Sequence, residues 1–138
     1  MRRLADERGV DLLLVDTGDL HDGNGLSDAG PGVQGHVSDQ VFALADYDLL
    51  TIGNHELYNM SVAQDVYEHF VPHWGDRYLT SNVHITLPGT TQSRPIGHRY
   101  TRFTTKNQRL TIQAYGVLFD FQLGAPGITV QDLSLIHI

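Results

Sequence analysis

Cysteine is absent from the 138-residue chain, and its absence removes two classes of structure. Without thiols the chain forms neither a disulfide nor a thiolate metal site. The absence of cysteine does not indicate the cellular compartment. Any bound metal would have to be held by nitrogen and oxygen donors.

Basic residues are also scarce. The chain has 9 lysine and arginine residues against 16 acidic ones, which gives a formal net charge of -7. Because binding to a phosphate backbone requires a basic surplus, a nucleic acid polymer is not the expected partner. An acidic chain can still bind a small phosphate ester where metal ions supply the positive charge locally.

Long apolar runs are missing as well. None approaches the roughly 18–20 residues that cross a bilayer, so we expect no membrane span. Residues 1–8 are charged and lack the apolar stretch of a signal peptide. Hydrophobic residues nevertheless make up 41% of the chain, which is enough for the packed core of one domain.

Two apolar stretches, residues 10–16 and 49–52, predict buried strands because their apolar residues are continuous rather than alternating. Residues 36–45 between them predict a helix. This order is typical of a right-handed βαβ unit with parallel strands. The carboxyl ends of both strands should therefore lie at one edge of the sheet, where α/β proteins bind ligands.

The connection that follows the first strand, residues 22–35, is rich in glycine. A phosphate-binding loop would need the Gly-x-Gly-x-x-Gly spacing at the start of a helix, or a Gly-Lys-Ser/Thr motif, and this segment has neither. We favour a flexible connection over a loop that lets the backbone approach a ligand. The glycine spacing also disfavours a nucleotide-binding module of Rossmann type.

Two further helices are expected. Residues 2–8 are rich in helix formers and end at Gly9. Residues 61–70 have a helical apolar pattern, with Ser61 as the N-cap and Pro72 as the stop.

His69 and His73 are four residues apart, a spacing that could hold a metal on one face of a helix. Pro72 lies between them, and the glutamate of a His-Glu-x-x-His motif is missing. We therefore favour a surface pair without a metal.

The second half of the sequence predicts further strands. Residues 78–83 form a short strand, and residues 100–105 and 109–118 form a β-hairpin after a loop at 86–97. Asn82 is a candidate to line the cleft, although a turn role is favoured.

The residues after the two central strands carry a family resemblance. Gly18-Asp19 and Gly53-Asn54-His55-Glu56, each after an apolar strand, resemble the motifs of the calcineurin-like metallophosphoesterase superfamily. The longer runs 16–27, 47–58 and 75–83 are similar to its 5′-nucleotidase-like branch, in particular to fungal members described as vacuolar. The similarity covers most of residues 3–121.

The resemblance implies roles for three residues. Asp19 matches the carboxylate that bridges two metal ions, Asn54 matches an amide ligand of one ion, and His55 matches the general acid. The implied cofactor is a pair of divalent ions of the Mn, Zn, Fe, Co or Mg class, which activates water and neutralises phosphoryl oxygens. A histidine suits its role because it titrates near neutral pH. His21 and Asp22 are weaker ligand candidates, and a supporting role is as plausible.

The resemblance also implies a fold class. We expect an α/β fold that forms a partial metallophosphoesterase (αββα) core, with a mainly parallel sheet, helices and a C-terminal antiparallel hairpin. Residues 1–121 would be this partial domain, and residues 122–138 a loop and apolar tail outside the family. Vacuolar or secreted placement follows from the same branch, although the chain does not carry the signal for it.

Three departures from the family pattern limit the expected activity. An opening Asp-x-His motif would precede residue 1, and a Gly-His-x-His motif would follow residue 138. Leu57-Tyr58 stands where many 5′-nucleotidases have Phe-Asp, and Tyr58 offers no carboxylate to orient His55. Two metals need on the order of eight coordination positions, so the isolated chain should bind metal weakly and hydrolyse little.

Two functional interpretations remain open. One is a fragment of a metal-dependent phosphoric ester hydrolase that acts on a phosphomonoester such as a nucleotide. The other is a non-catalytic α/β domain that keeps the fold but lacks a complete metal site. In the second interpretation residues 53–56 are a turn, with His55 and Glu56 in solvent.

Overall fold

The computed structural model describes residues 1–23 and 25–135. The end of the predicted apolar tail, residues 136–138, lies outside this range. The described chain is an α/β fold with one three-stranded parallel sheet, one three-stranded antiparallel sheet and a two-stranded hairpin. The expected α/β class, with a parallel sheet and an antiparallel hairpin, is therefore confirmed.

The parallel sheet has the order β1-β2-β3, with β1 at Val15–Asp16, β2 at Leu49–Thr51 and β3 at Tyr78–Leu79. Helix α1 (Arg2–Glu7) precedes this sheet, and α2 (Gly25–Asp28) and α3 (His36–Phe42) connect β1 to β2. Strands β1 and β2 are parallel, so the predicted βαβ unit is confirmed and both strands end at the same edge.

The first strand is much shorter and more exposed than predicted. Only two residues of the expected strand at 10–16 pair with β2, because β1 is an edge strand of the sheet and has a single neighbour. Val10, Leu12, Leu14 and Val15 are between 42% and 52% exposed. The prediction of a buried strand here is wrong, because these residues lie at the edge of the sheet and several of their side chains are about half exposed.

The helical segment after β2 is longer than predicted. It comprises α4 (Met60–Asp65), a π-helical turn (Val66–Phe70) and α5 (Val71–Trp74). Pro72 does not stop it, because Pro72 lies in the first turn of α5, where a missing N–H costs little.

The N-cap of α4 also differs from the prediction. Asn59 is the cap, and its side chain accepts a hydrogen bond from the backbone N–H of Ser61. Ser61 therefore lies within the first turn, and the helix begins earlier than the apolar pattern alone indicates.

The antiparallel sheet has the order β5-β4-β8, and the hairpin pairs β6 with β7. These strands are β4 at Val83–Thr86, β5 at Ser93–Pro95, β6 at Tyr100–Thr104, β7 at Thr111–Tyr115 and β8 at Ile128–Val130. The hairpin is confirmed. The prediction of a loop after residue 121 is wrong at residues 128–130. These residues form β8, which pairs with β4 through Val83–Val130 and Ile85–Ile128.

The hydrophobic core lies between β2, β3 and the long helical segment. Its most buried members are Leu50, Ile52, Leu57, Val62, Ala63, Val66, Phe70, Trp74, Tyr78, Val83, Ile85 and Ile96. Asn82 is also fully buried, and its side chain donates to the carbonyls of Leu118 and Gln131 and accepts the N–H of Leu118. Asn82 therefore joins separate segments of the chain instead of lining a cleft. Among the described residues, no helix is long and apolar enough to cross a membrane.

Candidate active site

Two glycines at the ends of β1 and β2 allow the following loops to touch. Gly18 has φ of +88°, and a Cβ atom there would lie 2.0 Å from the backbone nitrogen of Gly53. A Cβ on Gly53 would in turn lie 2.1 Å from Oδ1 of Asp19. No other residue type fits either position, so the two predicted motifs meet through backbone contact.

Asp19 lies at this contact in a left-handed conformation, with φ of +60°. Such a conformation is uncommon for a residue other than glycine and is found most often where function requires it. Oδ1 of Asp19 accepts the backbone N–H of His55 at 3.0 Å. The structure therefore brings two of the three predicted site residues into direct contact.

Hydrogen bonds to Glu56 connect the two loops. Its side chain is 1% exposed. One carboxylate oxygen accepts the N–H groups of Gly53 and Asp19, at 2.8 and 3.0 Å, and the other accepts the N–H of His21 at 2.9 Å. The interpretation that Glu56 is in solvent is wrong. The signal for this role was an acid three residues after a strand-end glycine, the spacing at which a side chain reaches back to a free N–H.

His21 is buried between two carboxylates. Its Nδ1 lies 2.9 Å from Glu56, and its Nε2 lies 2.9 Å from Asp39. Burial alone lowers the pKa of His21, but hydrogen bonds and charge from Asp39 and Glu56 offset this effect and raise the pKa to about 9. Burial raises the pKa of Glu56, and the contacts with His21 outweigh it, so the net shift is downward. The imidazolium thus joins α3 to the loop of the site.

His55 is partly exposed and has a carboxylate partner from the glycine-rich loop. Its Nδ1 lies 3.0 Å from Oδ2 of Asp22. This hydrogen bond is the main cause that raises the pKa of His55, and it lowers the pKa of Asp22. The ring also packs edge-on against Tyr58, with centroids 5.3 Å apart. Tyr58 offers no carboxylate, and Asp22 supplies one to the histidine.

Asn54 is adjacent to His55 in the chain and partly exposed. Its amide nitrogen donates to the hydroxyl of Tyr58 at 2.9 Å. That contact fixes the amide nitrogen, so the amide oxygen is the atom able to bind a cation. The tyrosine that departs from the family pattern is therefore the residue that orients Asn54.

These residues fit part of a centre for hard divalent cations. Asp19 would offer a carboxylate oxygen and Asn54 an amide oxygen, and both are donors that suit such ions. Across residues 1–23 and 25–135, however, three clustered histidine or carboxylate donors occur at another place, His36, Asp65 and His69. The small number of metal ligands expected at this edge of the sheet stays a prediction.

The fold corresponds to part of a known enzyme structure. A crystal structure of 5′-nucleotidase from Candida albicans matches 97% of this chain with a TM-score of 0.90 and 46% sequence identity. The match covers 24% of the Candida chain. The protein is thus an α/β fold that reproduces one portion of a 5′-nucleotidase structure.

Fungal sequences show the same partial overlap. A secreted protein of Arthroderma benhamiae is 52% identical over 121 residues, which are 88% of this chain and 18% of that protein. An uncharacterised protein of Schizosaccharomyces pombe is 48% identical over 134 residues, 97% of this chain and 22% of its own length. The chain therefore spans about a fifth of the length of these relatives. No family model matches it.

Proposed function

We propose that the chain is part of a metal-dependent phosphoric ester hydrolase of the 5′-nucleotidase-like kind. The observation that carries this proposal is the contact of Asp19 with the backbone of His55, which puts a carboxylate, the neighbouring Asn54 and a carboxylate-paired histidine at one edge of the sheet. The likeness to the Candida 5′-nucleotidase at 46% identity supports a hydrolase as the whole protein.

Each residue has a distinct role in this proposal. When bound, a pair of divalent ions would supply a water nucleophile near neutral pH and neutralise charge on the phosphoryl oxygens. Asp19 and Asn54 hold the ions through carboxylate and amide oxygens. His55 donates a proton to the leaving oxygen through the ring nitrogen that does not contact Asp22. Asp22 fixes the tautomer and orientation of that ring.

The substrate we propose is a small phosphomonoester, and a nucleoside 5′-monophosphate is the first to test. The name of the Candida protein supports this choice, and the deficit of basic residues argues against a nucleic acid polymer. A secreted or vacuolar location is proposed on the same basis, supported by the secreted relative from Arthroderma benhamiae.

A second candidate function is a non-catalytic domain that keeps the fold. The observation that favours it is the small number of donors at the sheet edge, where Asp19 and Asn54 are the two proposed protein ligands of the metals. Under this alternative the Glu56 network preserves the shape of the loops, and no substrate is turned over.

A chimera distinguishes the two candidates. This chain replaces the matched portion of the Candida 5′-nucleotidase, so that the remainder of that protein supplies the other parts of the fold. Phosphate release from AMP is then measured with added Mn²⁺. We expect activity from the chimera, a loss with Asp19→Asn, and a fall of about 10²–10⁴-fold with His55→Ala, the usual contribution of a general acid.

The matched control is His98→Gln, an exposed histidine outside the site, which should leave the rate unchanged. Thermal unfolding of each chimera distinguishes a loss of activity from a loss of the folded structure. A folded chimera without activity, or one whose rate survives Asp19→Asn and His55→Ala, would favour the non-catalytic domain.

A further inference from the structure

A second group of possible metal ligands lies away from the Asp19 edge. His36 begins α3, Asp65 ends α4, and His69 is in the π-helical turn. Nδ1 of His36 is 2.9 Å from one oxygen of Asp65, and Nδ1 of His69 is 3.0 Å from the other. One ligating atom from each residue lies within 4.8 Å of the other two.

The burial of these side chains is uneven in a way that suits a cation site. The side chain of Asp65 is 11% exposed, whereas those of His36 and His69 are 43% and 58% exposed. A largely desolvated carboxylate is costly without a positive partner. The two imidazoles are free to adjust toward an ion, because each has an exposed side.

The adjoining cavity supplies an independent observation. It has a volume of about 150 Å³ and is lined in part by His36, His69, His73 and Asp39. The side chain of Asp39 is nine-tenths buried, and its Oδ2 has no hydrogen-bond partner among the described residues. A buried carboxylate oxygen without a partner needs an explanation, and a cation bound in this cavity supplies one.

The backbone geometry at the cavity is unusual as well. The turn that carries His69 is π-helical, and π-helical turns occur frequently at functional sites. The π turn lies between α4 and α5, and it places His69 over Asp65 and edge-on to the ring of His36, with centroids 5.5 Å apart. Three ligands from α3, α4 and the π turn thus meet at one point.

We propose that His36, Asp65 and His69 bind a divalent transition metal ion, with Zn²⁺ as the best match. Two imidazoles and one carboxylate are a common zinc ligand set, and a water completes the tetrahedron. Tetrahedral zinc bonds of about 2.0–2.1 Å hold ligand atoms roughly 3.3 Å apart. The present His–Asp contacts of 2.9 and 3.0 Å are shorter, so both exposed histidines shift on binding. The ion would join α3 to the helical segment that follows β2, and it is separate from the phosphoesterase site.

Calorimetric titration of the tag-free chain with ZnCl₂ tests this proposal. The chain carries Asp19→Asn, so that the proposed phosphoesterase site makes no contribution. We expect one Zn²⁺ per chain, and we expect His36→Gln, Asp65→Asn or His69→Gln to weaken binding at least about tenfold. His98→Gln, another exposed histidine, should not change the affinity.

Trp74 gives a second readout in the same samples. It is the single tryptophan of the chain, it is buried, and its ring contacts Phe70 and His73, which line the cavity. Co²⁺ should quench its fluorescence in the Asp19→Asn chain but not after the further change His69→Gln. Its emission also reports whether each variant is folded.

The outcomes separate this site from the phosphoesterase proposal. Equal zinc affinity in His69→Gln and His98→Gln, or loss of all zinc binding in Asp19→Asn alone, would overturn the inference. Stoichiometric binding that requires His36, Asp65 and His69 would support it even if the AMP assay of the chimera fails.

Discussion

Two clusters of histidine and carboxylate groups in this chain share the same chemistry and differ in burial. In one, the His21 side chain is 2% exposed and lies between Asp39 and Glu56. In the other, His36 and His69 are about half exposed and share Asp65. We infer that burial separates their roles: the buried histidine joins backbone loops, and the exposed pair is accessible to a ligand.

In solvent exposure, His55 resembles the histidines of the exposed cluster. Its partner Asp22 is 45% exposed, and the ring itself is 40% exposed. His55 is connected to the buried cluster through Glu56. Glu56 follows His55 in the chain and accepts three backbone N–H groups. The proposed general acid, His55, is thus next in the chain to a buried glutamate that is paired with His21.

The largest effect should come from Glu56→Ala. The change leaves His21 as a buried cation with one partner and frees three N–H groups, two of them buried, so we expect the free energy of unfolding to fall by about 3–5 kcal/mol. Urea unfolding followed by Trp74 fluorescence measures it. The control Glu68→Ala, at an exposed glutamate, should change the value by less than about 0.5 kcal/mol. Equal effects would show that Glu56 does not organise the loops.

The buried cluster should also make stability depend on pH. The pKa of His21 is about 9 in the folded chain and about 6.5 when unfolded, so its contribution is complete below pH 6.5 and is lost as the pH rises through 9. The loss is about 3 kcal/mol at about 1.4 kcal/mol per pKa unit. Unfolding in the presence of a chelator, from pH 6 to 10, measures it.

Asp39→Asn sharpens the pH prediction. Removing one carboxylate lowers the pKa of His21 in the folded chain, so the decline in stability should still begin near pH 6.5 but end at a lower pH and be smaller. A free energy of unfolding that stays level between pH 6.5 and 9 in the unsubstituted chain would contradict the charged state assigned to His21.

Gly18→Ala tests the contact between the two loops. The added Cβ would lie 2.0 Å from the backbone nitrogen of Gly53, and the alanine would have to adopt a positive φ. We therefore expect the free energy of unfolding to fall by about 1–3 kcal/mol, or the loop to be displaced. Gly23→Ala is the matched control, because Gly23 has φ of +77° and nothing within 4 Å of the added atom. It should cost about 1 kcal/mol. Equal costs would mean that positive φ, and not loop contact, explains Gly18.

The smallest effect is expected from Asp65→Asn in metal-free buffer. The partners His36 and His69 are exposed and the interactions are screened, so the free energy of unfolding should fall by only about 0.2–1 kcal/mol. The same urea titration measures it. A loss as large as that of Glu56→Ala would remove the distinction between the buried and the exposed cluster.

Much of the architecture was predictable from local patterns. The βαβ unit, α3 and the hairpin follow from apolar periodicity and turn residues, and the structure has all of them. The burial of residues 10–16 was not predictable, because it depends on which chain segment covers β1. Strand β8 was missed because three residues between two loops carry no periodic signal, and pairing with β4 is what makes them a strand.

The residue types of the site could be predicted from the sequence, but the side-chain contacts between distant segments could not. Asp19, Asn54 and His55 stood out as polar residues after strands, and their roles remain predictions. The contact between His21 and Asp39 joins two segments 18 residues apart, and that between His55 and Asp22 joins two 33 apart, so neither follows from local sequence. Pro72 misled the helix prediction because a proline in a first helical turn and a proline that ends a helix look alike in sequence.

Asp19 and Asn54 are proposed to form a cation-binding edge held by Glu56. Paramagnetic broadening by Mn²⁺ in amide NMR spectra is the decisive test, in a chain that carries His69→Gln to remove the exposed cluster. Mn²⁺ prefers oxygen donors, and the method detects the weak binding expected of this chain. We expect broadening centred on residues 18–22 and 53–56 that Asp19→Asn abolishes. Broadening that survives Asp19→Asn, or that centres elsewhere in the chain, would rule out this cation site.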